Sequence, residues 1–527
     1  MPTRGHNIDR RLHVTAVLLI AGSLTLPART EQAAAPPSQE ALARVDGIVE
    51  RERAKAKIPG LNVAIALGGR LVYEKGFGLA DVENKVPATH ETRFRTASIA
   101  KPITATAVMQ LVERGAIDLD APIQQYCPAF PQKPWPITAR MILGHLAGIR
   151  HYTKRGESAG TEHFFGIADS LKLFKDDPLL HEPGTKYEYS TYGYSVLGCA
   201  VESAAKMTYA EYLRRNVFEP AGMTKTTIDE HYLILPNRAR GYQLLTKEGF
   251  DSLPPAAKAI AKPDEVYNAV LHDTSMKTPG GGLLSTASDL VRFASAVRDG
   301  KLLKRESVQA MWTSQKTRGG EETRYGLGWG VRVTDGRLTG VFHSGNQAGA
   351  SSNLRLAPAD GGAIAIMTNL EDAELGPILN AIAAEVRAEF QLDGRATGAI
   401  RFEPYPLKLD DGTTVEAERG RLTVPENRAR PGRTIELVFV RLRSTAARAG
   451  DPIVYLAGGP GDSGTSAARV PRLGTLFQRM RTIADVILLD QRATGQSTPS
   501  LFCPADGPLA ADALESAAAM RAALEPR

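Results

Sequence analysis

The chain has 527 residues, room for about three average domains or for one large and one small unit. Apolar residues make up 43% and charged residues 23%, a globular balance that excludes a disordered chain, and the 49 glycines and 33 prolines follow no collagen-like period. A net charge of +6 spread over this length does not imply a nucleic-acid partner, and three cysteines (Cys127, Cys199, Cys503) at long, irregular spacing exclude both a disulfide framework and a cysteine-based zinc site.

Arg10 and Arg11 precede the apolar run Leu12–Leu26, which is followed by Ala33-Ala34-Ala35 and Pro36-Pro37. This run has the length of a signal-peptide core and falls short of the roughly 18 residues that span a bilayer. Residues 1–35 therefore read as a signal peptide, with an uncut N-terminal anchor as the alternative, and the expected location is periplasmic or secreted. No other stretch is long and apolar enough to span a membrane. Cys127 and Cys199 could pair in an oxidising compartment, but nothing in the sequence gives their distance.

Residues 38–56 predict an amphipathic helix with Leu42, Val45, Ile48 and Val49 on one face. Leu61–Leu67 and Leu71–Tyr73 flank Gly68-Gly69, a hairpin pattern. A helix is expected from Ser98 to about Arg114, stopped by Gly115. Residues 116–300 carry helical and loop patterns. Strand patterns return at Gly326–Val333, Leu338–Phe342, Ser352–Leu356 and Ala363–Met367, and a helix over Leu375–Phe390 ends this half. Strands at both ends with helices between predict an α+β domain over 38–392, an antiparallel sheet closed by its first and last segments around a helical insertion. A linker covers 393–400, and strand patterns at Gly420–Val424, Ile435–Leu442, Ile453–Leu456 and Asp485–Leu489 suggest a separate α/β unit over 401–527 with an Ala-rich tail after Cys503.

The chemistry starts at Ser98-Ile99-Ala100-Lys101. Residues three apart share a helix face, so Lys101 can lie beside the Ser98 hydroxyl, and in a cleft its lowered pKa would let it take the hydroxyl proton. Alone the spacing is common in a chain of this length, and a surface lysine after a helix start explains it equally well. A second element is Tyr187-Glu188-Tyr189-Ser190-Thr191-Tyr192-Gly193-Tyr194, in which a phenol near a lysine could act as general base or acid; core packing is the plain alternative. A third is His343-Ser344-Gly345-Asn346 on a strand, whose edge could aim a backbone N–H at a developing oxyanion.

In this order and spacing, the three elements resemble the serine β-lactamase/penicillin-binding fold, in the branch with class C β-lactamases, D-Ala-D-Ala carboxypeptidases and related esterases. The run His145-Leu146-Ala147-Gly148-Ile149-Arg150-His151-Tyr152, together with Gly280-Gly281-Gly282 and Tyr325-Gly326-Leu327-Gly328-Trp329, extends the resemblance over about 40–390, most like the mitochondrial β-lactamase-like serine proteases and their bacterial relatives. The resemblance implies Ser98 as the acylated nucleophile, Lys101 sharing its proton, and Tyr189 as general base for attack and acid for the leaving group. It also implies an oxyanion hole from the backbone N–H groups of Ser98 and Asn346. His343, beside Gly345, would face the substrate's carboxylate side, and neither metal nor cofactor is implied.

Two departures bear on substrate. Thr191 stands where the pattern has asparagine, and His-Ser-Gly replaces Lys-Thr-Gly, which weakens capture of a β-lactam carboxylate. The expected activity is therefore peptidase- or esterase-like hydrolysis of a small-molecule or peptide substrate. The alternatives are a β-lactamase or D-Ala-D-Ala carboxypeptidase, and a non-catalytic envelope-binding protein. In the second half, Gly458-Gly459-Pro460-Gly461 and Asp485–Ser497 resemble the opening of an α/β-hydrolase of the proline iminopeptidase type, with no nucleophile elbow before Arg527. This half is credited with no activity, and Ser463 in Gly461-Asp462-Ser463-Gly464 reads as part of the glycine loop.

Overall fold

The structure, a computed structural model, describes residues 38–498 except 154–156, 158–159, 335, 360, 390–399, 410–411, 426–433, 447–449, 458–461 and 493. The expected signal peptide, nearly all of the linker, the loop Gly458–Gly461 and the Ala-rich tail lie outside the described residues. Among the described residues, no helix is long and apolar enough to cross a membrane.

Ser38 caps the first helix, α1 (Gln39–Lys55), by accepting from the Ala41 N–H at 3.1 Å. It is followed by β1 (Gly60–Leu67) and β2 (Arg70–Asp81), joined at Gly68-Gly69. The strands β3 (Gly330–Thr334), β4 (Arg337–Gln347), β5 (Ala350–Ala357) and β6 (Gly362–Thr368) come far later in the chain, and α5 (Gly376–Glu389) follows them. The sheet runs Val86–Pro87, β2, β1, β6, β5, β4, β3, antiparallel at every pairing. Ala64 of β1 faces Ala365 of β6, so the first and last segments close the sheet as the sequence pattern predicts.

The side-chain alternation of β1 explains the layers. Leu61, Val63 and Ile65 pack with Val45 and Val49 of α1 and with Ile378, Leu379 and Ile382 of α5. The small Ala64 and Ala66 point to the opposite face, toward the helical part, where α4 (Ala287–Arg298) comes close to the sheet. The insertion between β2 and β3 is built around α2 (Ala100–Glu113), whose residues Ala100 to Leu111 are all buried. A helix buried all round belongs inside a domain, and α3 (Tyr192–Ala205) packs on it. Cys199 of α3 is bonded to Cys127, closing a loop across a separation of 72 residues.

Residues 400–498 form a second sheet with its own apolar core, including Leu407, Val440, Phe477 and Leu488. Its strands are β7 (Ile400–Lys408), β8 (Thr414–Pro425), β9 (Thr434–Leu442), β10 (Gly450–Leu456) and β11 (Ala484–Leu489), with α6 (Pro471–Met480) between the last two. The order is β7, β8, β9, β11, β10; only β10 and β11 are parallel, as the helical crossover between them requires. Ser463 donates to the fully buried Asp490 carboxylate at 2.8 Å, and the same carboxylate accepts from Thr465 and Gln496. Its hydroxyl is thus committed to holding the loop after β10.

The Cys127–Cys199 link gives a direct check. Of the three cysteines, only Cys503 should react with a thiol reagent in denatured, unreduced protein, and all three after reduction. Replacing both Cys127 and Cys199 by serine should lower the unfolding free energy by about 4 kcal/mol on the loop-entropy model, read as a shift of the denaturant midpoint.

Candidate active site

Ser98 lies in a 3-10 turn (Ala97–Ile99) that runs directly into α2, so the helix predicted from Ser98 begins as a tighter turn. Ala97, just before it, has φ +46°, a left-handed conformation that costs an L-residue about 1 kcal/mol. The surroundings hold it there. Thr96 donates its N–H to the Leu283 carbonyl at 2.9 Å, and Ser352 of β5 donates to the Thr96 carbonyl at 2.6 Å. Gly345 of β4 presses on the same peptide: a Cβ there would come within 2.4 Å of the Thr96 oxygen and 2.9 Å of the Ala97 Cβ. Only a glycine lets β4 approach the nucleophile turn this closely.

Lys101 sits one helical turn on, with 0% of its surface exposed. Its Nζ is 3.0 Å from Ser98 Oγ, 3.0 Å from Thr191 Oγ1 and 2.8 Å from the Gly280 carbonyl oxygen. Burial holds this amine well below the usual lysine range, and the charge of Lys277 adds to the effect. The Gly280 carbonyl can only accept a hydrogen bond, and Thr191 supplies a second acceptor. A neutral amine with both N–H bonds so engaged keeps its lone pair for the third neighbour, the Ser98 hydroxyl. Gly280 must remain a glycine for this, because a Cβ would lie 2.5 Å from the Thr191 side chain.

Tyr189 borders the same cleft, where the Ser98 and Thr191 side chains favour its ionised form. Lys101 Nζ lies 4.8 Å from the ring centroid. The sequence leaves this phenol open as general base or acid beside a lysine. Burial pushes its pKa up and favours the protonated phenol, against the lowering effect of the Ser98 side chain. The ring of His145 packs on it at 4.3 Å between centroids and also touches Tyr194 and Tyr325. His145 Nδ1 accepts the Ser190 N–H and His151 Nδ1 accepts the Thr191 N–H, both at 3.2 Å. Burial keeps both imidazoles neutral, with His151 lowered to about 4. The two histidines thereby clamp the backbone on either side of the Lys101 acceptor. No local spacing in the sequence marks either histidine, since both work through stacking and backbone contacts.

The third motif divides along its strand. Ser344 and Asn346 are exposed and line the cleft. The Asn346 side chain is tied to Asp372 and to Ser351 Oγ, at 3.1 Å for the latter. His343 corrects an expectation: it does not reach the cleft. Its ring is buried, with Nε2 paired to Tyr325 Oη at 2.8 Å and Nδ1 to the Ser344 carbonyl at 2.7 Å. Burial first, then the neighbouring Lys101, brings it down to about 3, so the ring is neutral. Strand alternation is the reason, since His343 shares the buried face with Gly345 while Ser344 and Asn346 take the other.

These groups surround a cleft of about 270 Å³, room for a small amide or ester. Its walls also include Lys277, which the sequence analysis passed over. Ser98, Lys101, Tyr189, Thr191 and Asn346 are brought together, Gly345 supports the turn from behind, and His343 alone of the predicted set points away.

Residues 45–388 match the family model described as Beta-lactamase. The human mitochondrial serine beta-lactamase-like protein LACTB is 28% identical over 472 residues, covering 69% of this chain and 82% of that protein. Among solved structures, D-amino acid amidase from Ochrobactrum anthropi SV3, complexed with L-phenylalanine amide, aligns with a TM-score of 0.55 at 23% identity, over 66% of this chain and 99% of that one. A penicillin binding protein from Bacillus halodurans aligns with a TM-score of 0.53 at 23% identity, over 64% and 99%.

The buried amine has a thermodynamic signature. Between its lowered folded pKa and its ordinary value of about 10.4, Lys101 carries a proton in the unfolded chain and none in the folded one. Unfolding then takes up a proton, so this group's contribution to stability improves as pH rises through that window. Relative to Lys101→Met, the native protein should gain stability just below the ordinary lysine value, between about pH 9 and pH 10, by up to about 1.4 kcal/mol per pH unit. Urea unfolding of both proteins at the two pH values measures the difference.

Proposed function

The chain belongs to the beta-lactamase family, and from that premise we propose that it is a serine hydrolase cleaving an amide or ester through an acyl-enzyme on Ser98. The observation that carries this reading is the Lys101 amine, fully buried and 3.0 Å from the Ser98 hydroxyl. Ser98 Oγ attacks the carbonyl carbon as its proton passes to the Lys101 lone pair. The backbone N–H groups of Ser98 and Asn346 receive the developing oxyanion. Tyr189 gives its proton to the leaving nitrogen or oxygen as that bond breaks, and the Lys101 ammonium restores the phenol. Water then attacks the acyl-enzyme by the same proton path in reverse, and Ser98 is regenerated.

Within this chemistry, peptidase- or esterase-like action is favoured over β-lactam hydrolysis. His343, in the place of a substrate-facing lysine, turns its ring away from the cleft, and Thr191 offers one hydroxyl where an asparagine would offer an amide. The amidase and penicillin-binding structures that the chain resembles are consistent with an acyl group and an amine or alcohol leaving group. The Cys127–Cys199 bond and the N-terminal apolar run support work in an oxidising compartment, periplasmic or outside the cell. The catalytic unit is assigned to residues 38–392, and the sheet of residues 400–498 is read as a separate unit without a catalytic role.

Fluorophosphonate treatment of the full chain should label the Ser98 peptide, with slower or no labelling by a penicillin, both read by peptide mass. Ser98→Ala should abolish labelling and reduce kcat by about 10⁴-fold or more, while stability stays within about 0.5 kcal/mol. Tyr189→Phe should lower kcat by about 10²- to 10⁴-fold. The native rate should fall as pH drops through the folded pKa of Lys101, since protonation removes the base. Turnover that persists in Ser98→Ala would defeat the assignment.

A further inference from the structure

Thr104 lies one helical turn beyond Lys101, on the same face of α2, and is fully buried. Its Oγ1 is 2.5 Å from the Pro279 carbonyl oxygen, 2.6 Å from the Tyr209 hydroxyl and 3.1 Å from the Ala100 carbonyl oxygen. A carbonyl only accepts, so the single threonine hydrogen goes to one of the two, and the shorter contact gives it to Pro279. Tyr209 is then the donor to Thr104. Its phenol is buried and burial pushes its pKa up, so it keeps the proton that this hydrogen bond needs.

Pro279 and Gly280 belong to one helical turn, Thr278–Gly281. The final carbonyls of a helix have no partner inside it. Here α2 supplies the partners: Thr104 donates to Pro279, and Lys101 donates to Gly280 at 2.8 Å. On the other side, a Cβ on Gly198 of α3 would lie 2.3 Å from Pro279 Cγ, so the proline ring is pressed against that helix. The two grips are not equivalent. Lys101 takes up and gives back a proton in the proposed reaction, and its hydrogen bonds change with it. The Thr104 hydroxyl takes no part in that transfer and holds the turn throughout.

We propose that Thr104, backed by Tyr209, is a positioning residue for the base: it anchors the Pro279 carbonyl and so keeps the Gly280 carbonyl aimed at Lys101. This rests on the hydrolase reading of Ser98 and Lys101. Gly280 has no side chain to limit its rotation, so the direction of its carbonyl depends on what holds the peptide before it. With that carbonyl and Thr191 accepting from the amine, the lone pair is left for the Ser98 hydroxyl. Removing the Thr104 hydroxyl leaves the buried Pro279 carbonyl without its donor, and the turn relaxes toward another. Lys101 then loses an acceptor that favours its charged form.

The test uses the full chain carrying Thr104→Val, which removes the hydroxyl and keeps the branched shape. Carbon-13 at the lysine ε positions reports ionisation by NMR, and the Lys101 signal is the one missing in Lys101→Met. In Thr104→Val that signal should titrate at lower pH than in the native protein, since a lost acceptor disfavours the ammonium. Fluorophosphonate labelling of Ser98 should slow about tenfold or more. Thr104→Ser, which keeps the hydroxyl, should restore both readings, and Tyr209→Phe should shift both in the same direction by less. The titratable groups facing Lys101 (Lys277, His145, His151, His343, Tyr189, Tyr194) are the same in every variant. A native-like titration in Thr104→Val would overturn the proposal. So would a shift toward the ordinary lysine range, the mark of water entering a loosened core, or a Thr104→Ser as defective as Thr104→Val. If Thr104→Val does not fold, Tyr209→Phe decides, and a native-like titration in it overturns the proposal. An absence of labelling in the native protein would remove the hydrolase reading while the Lys101 titration still reports on Thr104.

Discussion

An uncharged amine inside protein is the constraint on which this site is built. Moving a lysine out of water strongly disfavours its charged form, and Lys101 is wholly enclosed on the first turns of a buried helix. The enclosure is tolerable because the polar groups around Nζ are few and well placed: a backbone carbonyl and a hydroxyl to accept its hydrogens, and the serine as the remaining neighbour. Burial thereby lowers the pKa of a nitrogen that would be charged on a surface. The two histidine-to-backbone hydrogen bonds and the aromatic stack exist to keep those acceptors in place.

The reacting groups come from different parts of the architecture. Ser98 and Lys101 lie at the start of α2, Tyr189 and Thr191 immediately before α3, and Asn346 on β4 of the sheet. Gly345 and Gly280 mark where these parts touch, each at a distance no side chain would allow. Their exactness of fit, rather than the chemistry of either glycine, is what the surrounding backbone depends on. The left-handed Ala97 sits at the same contact, and local strain there places the hydroxyl at the mouth of the cleft.

Much of this was legible along the chain. Alternation in Leu61–Leu67 and in the strands after Gly326 carried the closed antiparallel sheet, and serine and lysine three apart on a helix carried the contact between Ser98 and Lys101. Elsewhere the pattern was too short. Strand β4 joins the pattern at Leu338–Phe342 to the motif His343–Asn346, also expected on a strand, in one element that ends at Gln347, where Gly345 and the polar residues around it pair with β5 despite their weak strand preference. Strand β7, with Pro404 and Pro406 at the edge of its sheet, carries no strand pattern in the sequence, where Ile400 falls in the expected linker and the rest in the unit over 401–527. The direction of His343 depends on which face of β4 is buried, and the arrival of Lys277 beside Ser98 depends on a turn about 180 residues away in sequence; neither leaves a local trace. The raised pKa of Tyr189 comes from enclosure, which composition does not show.

The bond between Cys127 and Cys199 has one more consequence. The chain between these positions contains His145, His151, Tyr189 and Thr191, and its far end is α3. A protease that nicked this stretch once would not release a fragment: both pieces would stay tethered through sulfur, and the phenol would remain on a piece joined to the body of the molecule. A clipped form would therefore migrate as one species until reductant is added, and catalysis could outlast the loss of an unbroken backbone.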